Sequence, residues 1–525
     1  MKNERKIKNG MRYEKNGWTH LSIEGSAKER GYANGYLMAQ ELREIFKMLD
    51  FNFYNDYGYS RVFFSDLVNE LYGPRIKKNY SELYEELEYI LIGTNDAMPE
   101  SKLSLADIIM WNCYVSIDYL MGSLANLVNE NKVLKTKYGY LFSSKSGQST
   151  SASRAEGGAG ASGAGASGAG ASEAGTRAGA KDHCTAFIAV GSYTKDGKIV
   201  CAHNSFDNFI DGQYFNVMLS IKPEKGNRIL MQTAPGCISS GTDYFVTSAG
   251  LICAETTIGG FNKFKLLDPI CCRIRTAMQY GNTLDDCLNY LKHNNGGDYA
   301  NSWLIGDTKI NTIMRIELGL DYINVEKKID GYFIGFNAAD DPRIRNLECS
   351  NSGYYDIRRH QGARRVRLTE LMQQYKGKID IKIGQKILAD HYDVYLKKIN
   401  PCSRTCCSHY DLDDRAFMSQ ADRPKPYQPR GALDGIVCDT TMAKNMSLSA
   451  RWGSSCGIPF NKIKYCNKHI QWKDQESYLH DRLTQPWTIF SASNIMQRRE
   501  TKRVKYSTAK KHKKKKTTKN YAKNT

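Results

Sequence analysis

The sequence predicts an α+β protein in which packed sheets are covered by helices and preceded by a helical region. Three observations carry this. Residues from about 15 to 140 place apolar side chains at helical intervals, 147–181 lose nearly all bulky side chains, and after Lys181 the apolar residues fall into short strand-length pieces. A chain of 525 residues with 41% hydrophobic composition can bury a large core.

The helical region opens at "SAKERGYANGYLMAQELREIFKMLD", where Ser26 and Glu29 have the spacing of a capping box. "LSLADIIMWNCYVSIDYLMGSLANL", 103–127, is long and apolar enough to be a buried helix, and these helices are expected to act as core packing without chemistry. The segment "GAGASGAGASGAGAS", 158–172, repeats five residues three times and buries too little side chain to order itself, so it is expected to be a flexible linker. Past it, "CTAFIAVGSYT" and "KIVCAHNSF" flank Asp196-Gly197, a hairpin signal. A strict two-residue turn there would set His203 opposite Val190 and Phe209 opposite Cys184, which favours Asp207 or Asn208 as neighbours of the cysteine. "DPICCRIRTAMQYGNTLDDCLNYLKHN" is helical in composition, as is 364–398, and both are expected to cover the sheets. The expected division is a helical region over 1–145, a linker over 146–183, a sheet-rich core over 184–495 and a disordered basic tail over 496–525.

The net charge of +19 suggests nucleic acid until it is located. Residues 501–525 hold 11 Lys and Arg and no acid, leaving about +8 for the rest. The tail reads as a solvated end, or as a weak contact for RNA or an anionic membrane. Fifteen cysteines occur without a CxxC pair or a His-bearing spacing, so no zinc site is expected; Cys402, Cys406 and Cys407 form the densest group. The first residues lack a signal-peptide apolar core, and the chain as written reads as cytoplasmic. A leader outside this sequence would make it lysosomal or secreted, and Asn79 and Asn445 would then be glycosylation acceptors.

Chemistry is expected at Cys184. A loose segment ending at a cysteine that starts a buried strand suits an N-terminal nucleophile: cutting His183–Cys184 would free an α-amine, titrating near ~8, beside the thiol. One residue then supplies nucleophile and base, and no cofactor is required.

The blocks "HCTAFIAVGSYTKDGKIVCAHNSF", "SAGLICAETTIGGFN", "NNGGDYANSWLIGDTK", "DIRRHQGARRVR" and "NPCSRTCCSHYDLD" occur in an order that resembles the phospholipase B-like family of the N-terminal nucleophile hydrolase superfamily. The resemblance implies an αββα sandwich, self-cleavage before Cys184 and hydrolysis of fatty acyl esters or amides. It implies Cys184 as nucleophile, with His203 and Asn204 beside it. Thr257 is implied as a polar strand end with Thr256 adjacent, Asn301 as the oxyanion donor, and Arg359 (or Arg358) as a charged residue holding substrate or a carboxylate. The partners implied are a lipid or acyl-amide substrate and the chain's own N-terminal fragment. Glu255 and Asp243 can also pair as acid and base, as in a glycosidase, without other support. Two further readings are a non-catalytic lipid-binding module and an amidase or acyltransferase on the same fold. An adaptor working through the tail is a third, against which the core blocks argue.

Overall fold

Alternation along single strands defines the layers in the computed structural model, which describes residues 2–142, 184–350, 352–414 and 426–492. The predicted linker, the His183–Cys184 bond and the basic tail lie outside the described residues. β4 (Cys184–Val190) is buried along its whole length. Its Ala186, Ile188 and Val190 enter a core between two sheets, while Phe187 and Ala189 enter a separate core beneath helices.

The larger sheet has ten strands. In spatial order they are β1 (Lys2–Ile7), β2 (Gly10–Lys15), β3 (Trp18–Gly25), β6 (Val217–Pro223), β7 (Ile229–Thr233), β8 (Phe245–Thr247), β9 (Leu251–Thr257), β10 (Asn301–Asp307), β11 (Thr312–Leu318) and β12 (Ile323–Lys328). The second sheet runs β13 (Gly331–Gly335), β4, β5 (Val200–Asn208), β17 (Asp434–Asp439), β18 (Ser447–Trp452) and β19 (Thr488–Ser491), with β16 (Arg430–Ala432) also on β5. A small hairpin, β14 (Tyr392–Asp393) with β15 (Lys398–Ile399), stands apart.

Among the described residues seven α-helices precede β4: α1 (Ala27–Leu37), α2 (Ala39–Tyr57), α3 (Arg61–Asn79), α4 (Ser81–Ala97), α5 (Leu105–Asn112), α6 (Ile117–Glu130) and α7 (Lys132–Tyr138). The Ser26 and Glu29 capping box is present at the start of α1. Helices α8 (Ile270–Tyr280) and α9 (Leu284–Lys292) cover the ten-stranded sheet, through Ile274, Met278 and Leu291 against residues such as Leu219 and Ile305. Helices α10 (His360–Gln374) and α11 (Ile381–Leu388) cover the other sheet, through Leu368, Met372 and Leu388 against Phe187 and Ala202. The order helix, sheet, sheet, helix is the expected αββα arrangement.

Three local expectations change. Residues 2–25 form three strands joined by short turns, because "GMRYEK" and "WTHLSIEG" extend the sheet edge: β3 pairs in parallel with β6, from Thr19 opposite Val217 to Gly25 opposite Pro223. The β4–β5 connection is no two-residue turn. Residues 191–199 form it, with a 3₁₀ turn at Gly191–Tyr193 closed by Thr194 N–H to Gly191 O at 3.2 Å and the loop itself closed by Gly191 N–H to Gly197 O at 3.1 Å, so Cys184 pairs with Ser205 and Ala186 with His203. Helix at 364–398 breaks after Gln374 and ends at Leu388, giving way to the β14–β15 hairpin.

Helices α1 and α4 touch backbone to backbone. A Cβ on Gly35 would lie 2.0 Å from Ile90 O, and one on Gly93 would lie 2.2 Å from Tyr32 O, so only glycine permits this approach. The close packing brings Arg30 onto Glu86 (Nε to Oε2, 2.6 Å), and Glu86 also accepts from Arg275 of α8 at 3.1 and 3.2 Å.

Candidate active site

Cys184 is the first residue of β4 and only 2% exposed, with its side chain directed at the ten-stranded sheet. Its Sγ lies 3.5 Å from Glu255 Oε1 on β9, which also accepts from Tyr299 Oη at 3.2 Å. Thr257 Oγ1 donates to the same Tyr299 oxygen at 3.2 Å. With its amide nitrogen turned inward, Asn301 donates to Glu255 Oε2 at 3.1 Å and to Ala300 O at 2.8 Å. Cys184, Glu255, Tyr299, Thr257 and Asn301 therefore form one buried cluster.

His203 and Asn204 face opposite layers. His203 shares the face of Cys184, and its ring nitrogen, the thiol sulfur and a Glu255 oxygen lie within 4.8 Å of one another. Asn204, the next residue along the strand, points the opposite way. It donates to Leu388 O at 2.8 Å and Cys406 O at 3.1 Å, tying β5 to the helical layer behind the site.

The arginine that reaches Cys184 is Arg364. It donates to Cys184 O, to Thr185 Oγ1 at 3.1 Å and to Asn337 Oδ1 at 2.8 Å. Asn337 Oδ1 in turn faces the Cys184 backbone nitrogen at 3.4 Å, while its amide donates to Thr257 O at 2.8 Å. Arg359 is the N-cap of α10, packed beside Gly353, and Arg358 is an exposed partner of Asp356. Sequence reading missed Arg364 and Asn337; the signal was a buried run, "HQGAR", one turn beyond the arginine it chose.

Burial sets the charge states. It pushes the Cys184 thiol well above its ordinary value, with Glu255 and Asp243 adding to the effect, and it lowers His203 to about 3. The Glu255 carboxyl is likewise driven up by burial and by Asp243 beside it. Burial raises Asp243 to about 7. Of the two carboxyls that sequence offered as a bare acid–base pair, Glu255 thus sits next to the thiol, and burial raises both.

The cluster opens onto a small, partly open pocket. Cys184, Glu255 and Tyr299 form one side, and Tyr57, Tyr114 and Tyr119 from the N-terminal region form another. A second, smaller pocket shares Tyr114, Phe215 and Tyr299 and extends toward Trp111, Ile270 and Ile274. Helices expected to be packing alone thus build part of the site. They also hold its rim: Asn34 brackets Gly236 N and Cys237 O, Asn112 donates to Gly236 O and accepts from Ile238 N, and Trp111 Nε1 donates to Pro235 O.

Fold and site define an αββα protein with a strand-leading cysteine facing a pocket lined by tyrosines and carboxylates. A family model described as Phospholipase B matches residues 10–341, and the chain belongs to that family. Phospholipase B of Crotalus adamanteus is 25% identical over 336 residues, covering 58% of this chain and 57% of the relative. Phospholipase B-like 1 of Homo sapiens is 24% identical over 343 residues, with coverage of 58% and 57%. Putative phospholipase B-like 2 of Rattus norvegicus is 23% identical over 315 residues, with coverage of 51% and 53%. The chain spans little more than half the length of the curated relatives it matches. The matched span includes Cys184, His203, Asn204, Thr257 and Asn301 but stops short of Arg359 and Arg364. Among the described residues no helix is long and apolar enough to cross a membrane.

Proposed function

We propose that the chain is a self-processing N-terminal cysteine hydrolase that removes acyl groups from lipid esters. The observation that carries this reading is the placement of Cys184, a strand-leading thiol buried against a pocket that the N-terminal region helps to line, in a member of the phospholipase B family. Activation begins when the thiol adds to the His183 carbonyl. The Cys184 nitrogen leaves as an amine, and water hydrolyses the resulting thioester, returning the thiol and a His183 carboxyl group.

In turnover the α-amine takes the thiol proton as Sγ attacks the ester carbonyl. The alcohol departs with that proton, and water attacks the acyl thioester to release the fatty acid. Asn337 Oδ1, 3.4 Å from the Cys184 nitrogen, accepts from the amine, and Arg364 fixes Asn337. Asn301 serves as oxyanion donor once the Glu255 carboxyl turns away from it. Before the cut, burial keeps the thiol protonated, which suits a latent precursor. The N-terminal segment stays with the product, because it forms a wall of the pocket. Hydrolysis of N-acyl amides uses the same groups and is the second reading.

The test is the intact mass of the purified chain beside Cys184→Ala, followed by incubation with phospholipid and with an N-acyl amide. Two fragments, one beginning at Cys184 and absent from the variant, with fatty acid released only by the processed form, are expected. A single full-length mass in both proteins would leave the non-catalytic binding module in its place.

A further inference from the structure

A second cluster of ligating side chains lies behind the site. His391 follows α11, Cys407 and His409 sit in the segment before β16, and Cys456 follows β18. One donor atom from each falls within 4.8 Å of the others. His409 Nε2 is 3.6 Å from Cys407 Sγ and 3.4 Å from Cys456 Sγ. A tetrahedral zinc with Zn–S near ~2.3 Å and Zn–N near ~2.0–2.1 Å needs nitrogen–sulfur edges of about 3.6 Å, so these two edges already have the required length.

The surroundings agree. His391 Nε2 is buried and has no hydrogen-bond partner. Asp411 Oδ1 lies 3.2 Å from His409 Nδ1, the carboxylate–histidine arrangement that leaves Nε2 to a metal. Arg482, buried against Phe209 and Phe460, feels the charge of Asp411 and of the two thiols.

We propose that His391, Cys407, His409 and Cys456 bind one zinc ion as a closed four-ligand structural site. Two thiol protons leave as the ion enters, so two thiolates neutralise its charge. The ion joins three chain segments remote in sequence. It also anchors the stretch whose Cys406 carbonyl receives Asn204, at the back of the strand facing Cys184. The spacing 391, 407, 409, 456 contains no short ligand repeat, which is why the sequence does not announce it. A Cys407–Cys456 disulfide would use the same sulfurs and exclude the metal.

The experiment uses the full chain, purified under reducing conditions without chelator. Elemental analysis is expected to find about one zinc per chain. After the metal is stripped, Co²⁺ titration is expected to give tetrahedral ligand-field bands and thiolate-to-cobalt charge transfer. Cys456→Ser is expected to weaken that charge transfer and Asp411→Asn to lower Co²⁺ affinity about 10-fold, whereas Cys349→Ser, outside the cluster, leaves both unchanged. The wild-type titration needs no variant to fold. Absence of zinc together with a Co²⁺ spectrum lacking charge transfer would overturn the proposal. So would a Cys407–Cys456 disulfide in protein whose thiols were blocked at lysis.

Discussion

Replacing Glu86 by alanine tests how the N-terminal helices are fastened to the core. The Glu86 carboxylate is fully buried and accepts from Arg30 at 2.6 Å and from Arg275 at 3.1 and 3.2 Å. Arg30 keeps a second partner in Glu82 at 2.7 Å, but Arg275, also fully buried, loses its carboxylate and keeps only neutral acceptors in Gln279 and Ile238. Removing one side of such a pair costs about 3–5 kcal/mol, because a charge stays buried without its counterion. The neighbouring pair Lys28–Glu85, at 3.4 Å with side chains 53% and 40% exposed, is the control, and exposed pairs contribute about 0–1 kcal/mol. With an unfolding entropy of ~2.1 cal/mol/K per residue, 1 kcal/mol shifts the melting temperature of a chain this size by about 1 °C. Thermal unfolding should therefore place Glu86→Ala about 3–5 °C below wild type and Glu85→Ala within about 1 °C. Equal melting temperatures for the two variants would refute the argument that this cluster fastens the helices.

His203 is held neutral by burial at about 3, below its ordinary 6.5, so below 6.5 the unfolded chain binds the extra proton. Stability is then full above 6.5 and falls as pH drops toward 3; urea midpoints across this range should fall less steeply in His203→Gln, and identical slopes would contradict the assignment. Arg364→Lys cannot reproduce the fork to Cys184, Thr185 and Asn337, and self-cleavage followed by gel should slow by about 100-fold while near-ultraviolet circular dichroism stays native. Unchanged cleavage would remove Arg364 from the positioning machinery. Gly35→Ala puts a Cβ 2.0 Å from Ile90 O and should cost about 1–3 kcal/mol by forcing α1 from α4; a neutral melting temperature would show that the helices separate freely.

The layered architecture was legible because strand-length apolar runs and helical spacing leave different marks on a sequence. The strands of residues 2–25 were not, since their pairing partner β6 lies far along the chain and charged residues interrupt their alternation. The β4–β5 register escaped because Asp196-Gly197 lies inside a longer loop rather than forming the whole turn. Period-two geometry alone separates His203 from Asn204, since adjacent strand residues face opposite layers. The cluster of Cys184, Glu255, Tyr299 and Asn301 joins three separated segments through sheet packing, and the proposed zinc ligands do the same through loops. Such groupings exist only once the fold does.

The parallel seam between β3 and β6 governs the order in which the molecule can be made. Strand β3 emerges early in synthesis, yet its hydrogen-bonding partner begins at Val217, so the seam waits until most of the first half has been produced. A break within 143–183 before that moment would release β1–β3 and the helices without a sheet to join. After it, the two pieces hold one continuous sheet, and separating them means tearing seven residues of ladder from a closed core. A cut in that stretch made after the seam has formed would therefore leave the two pieces held together by the sheet.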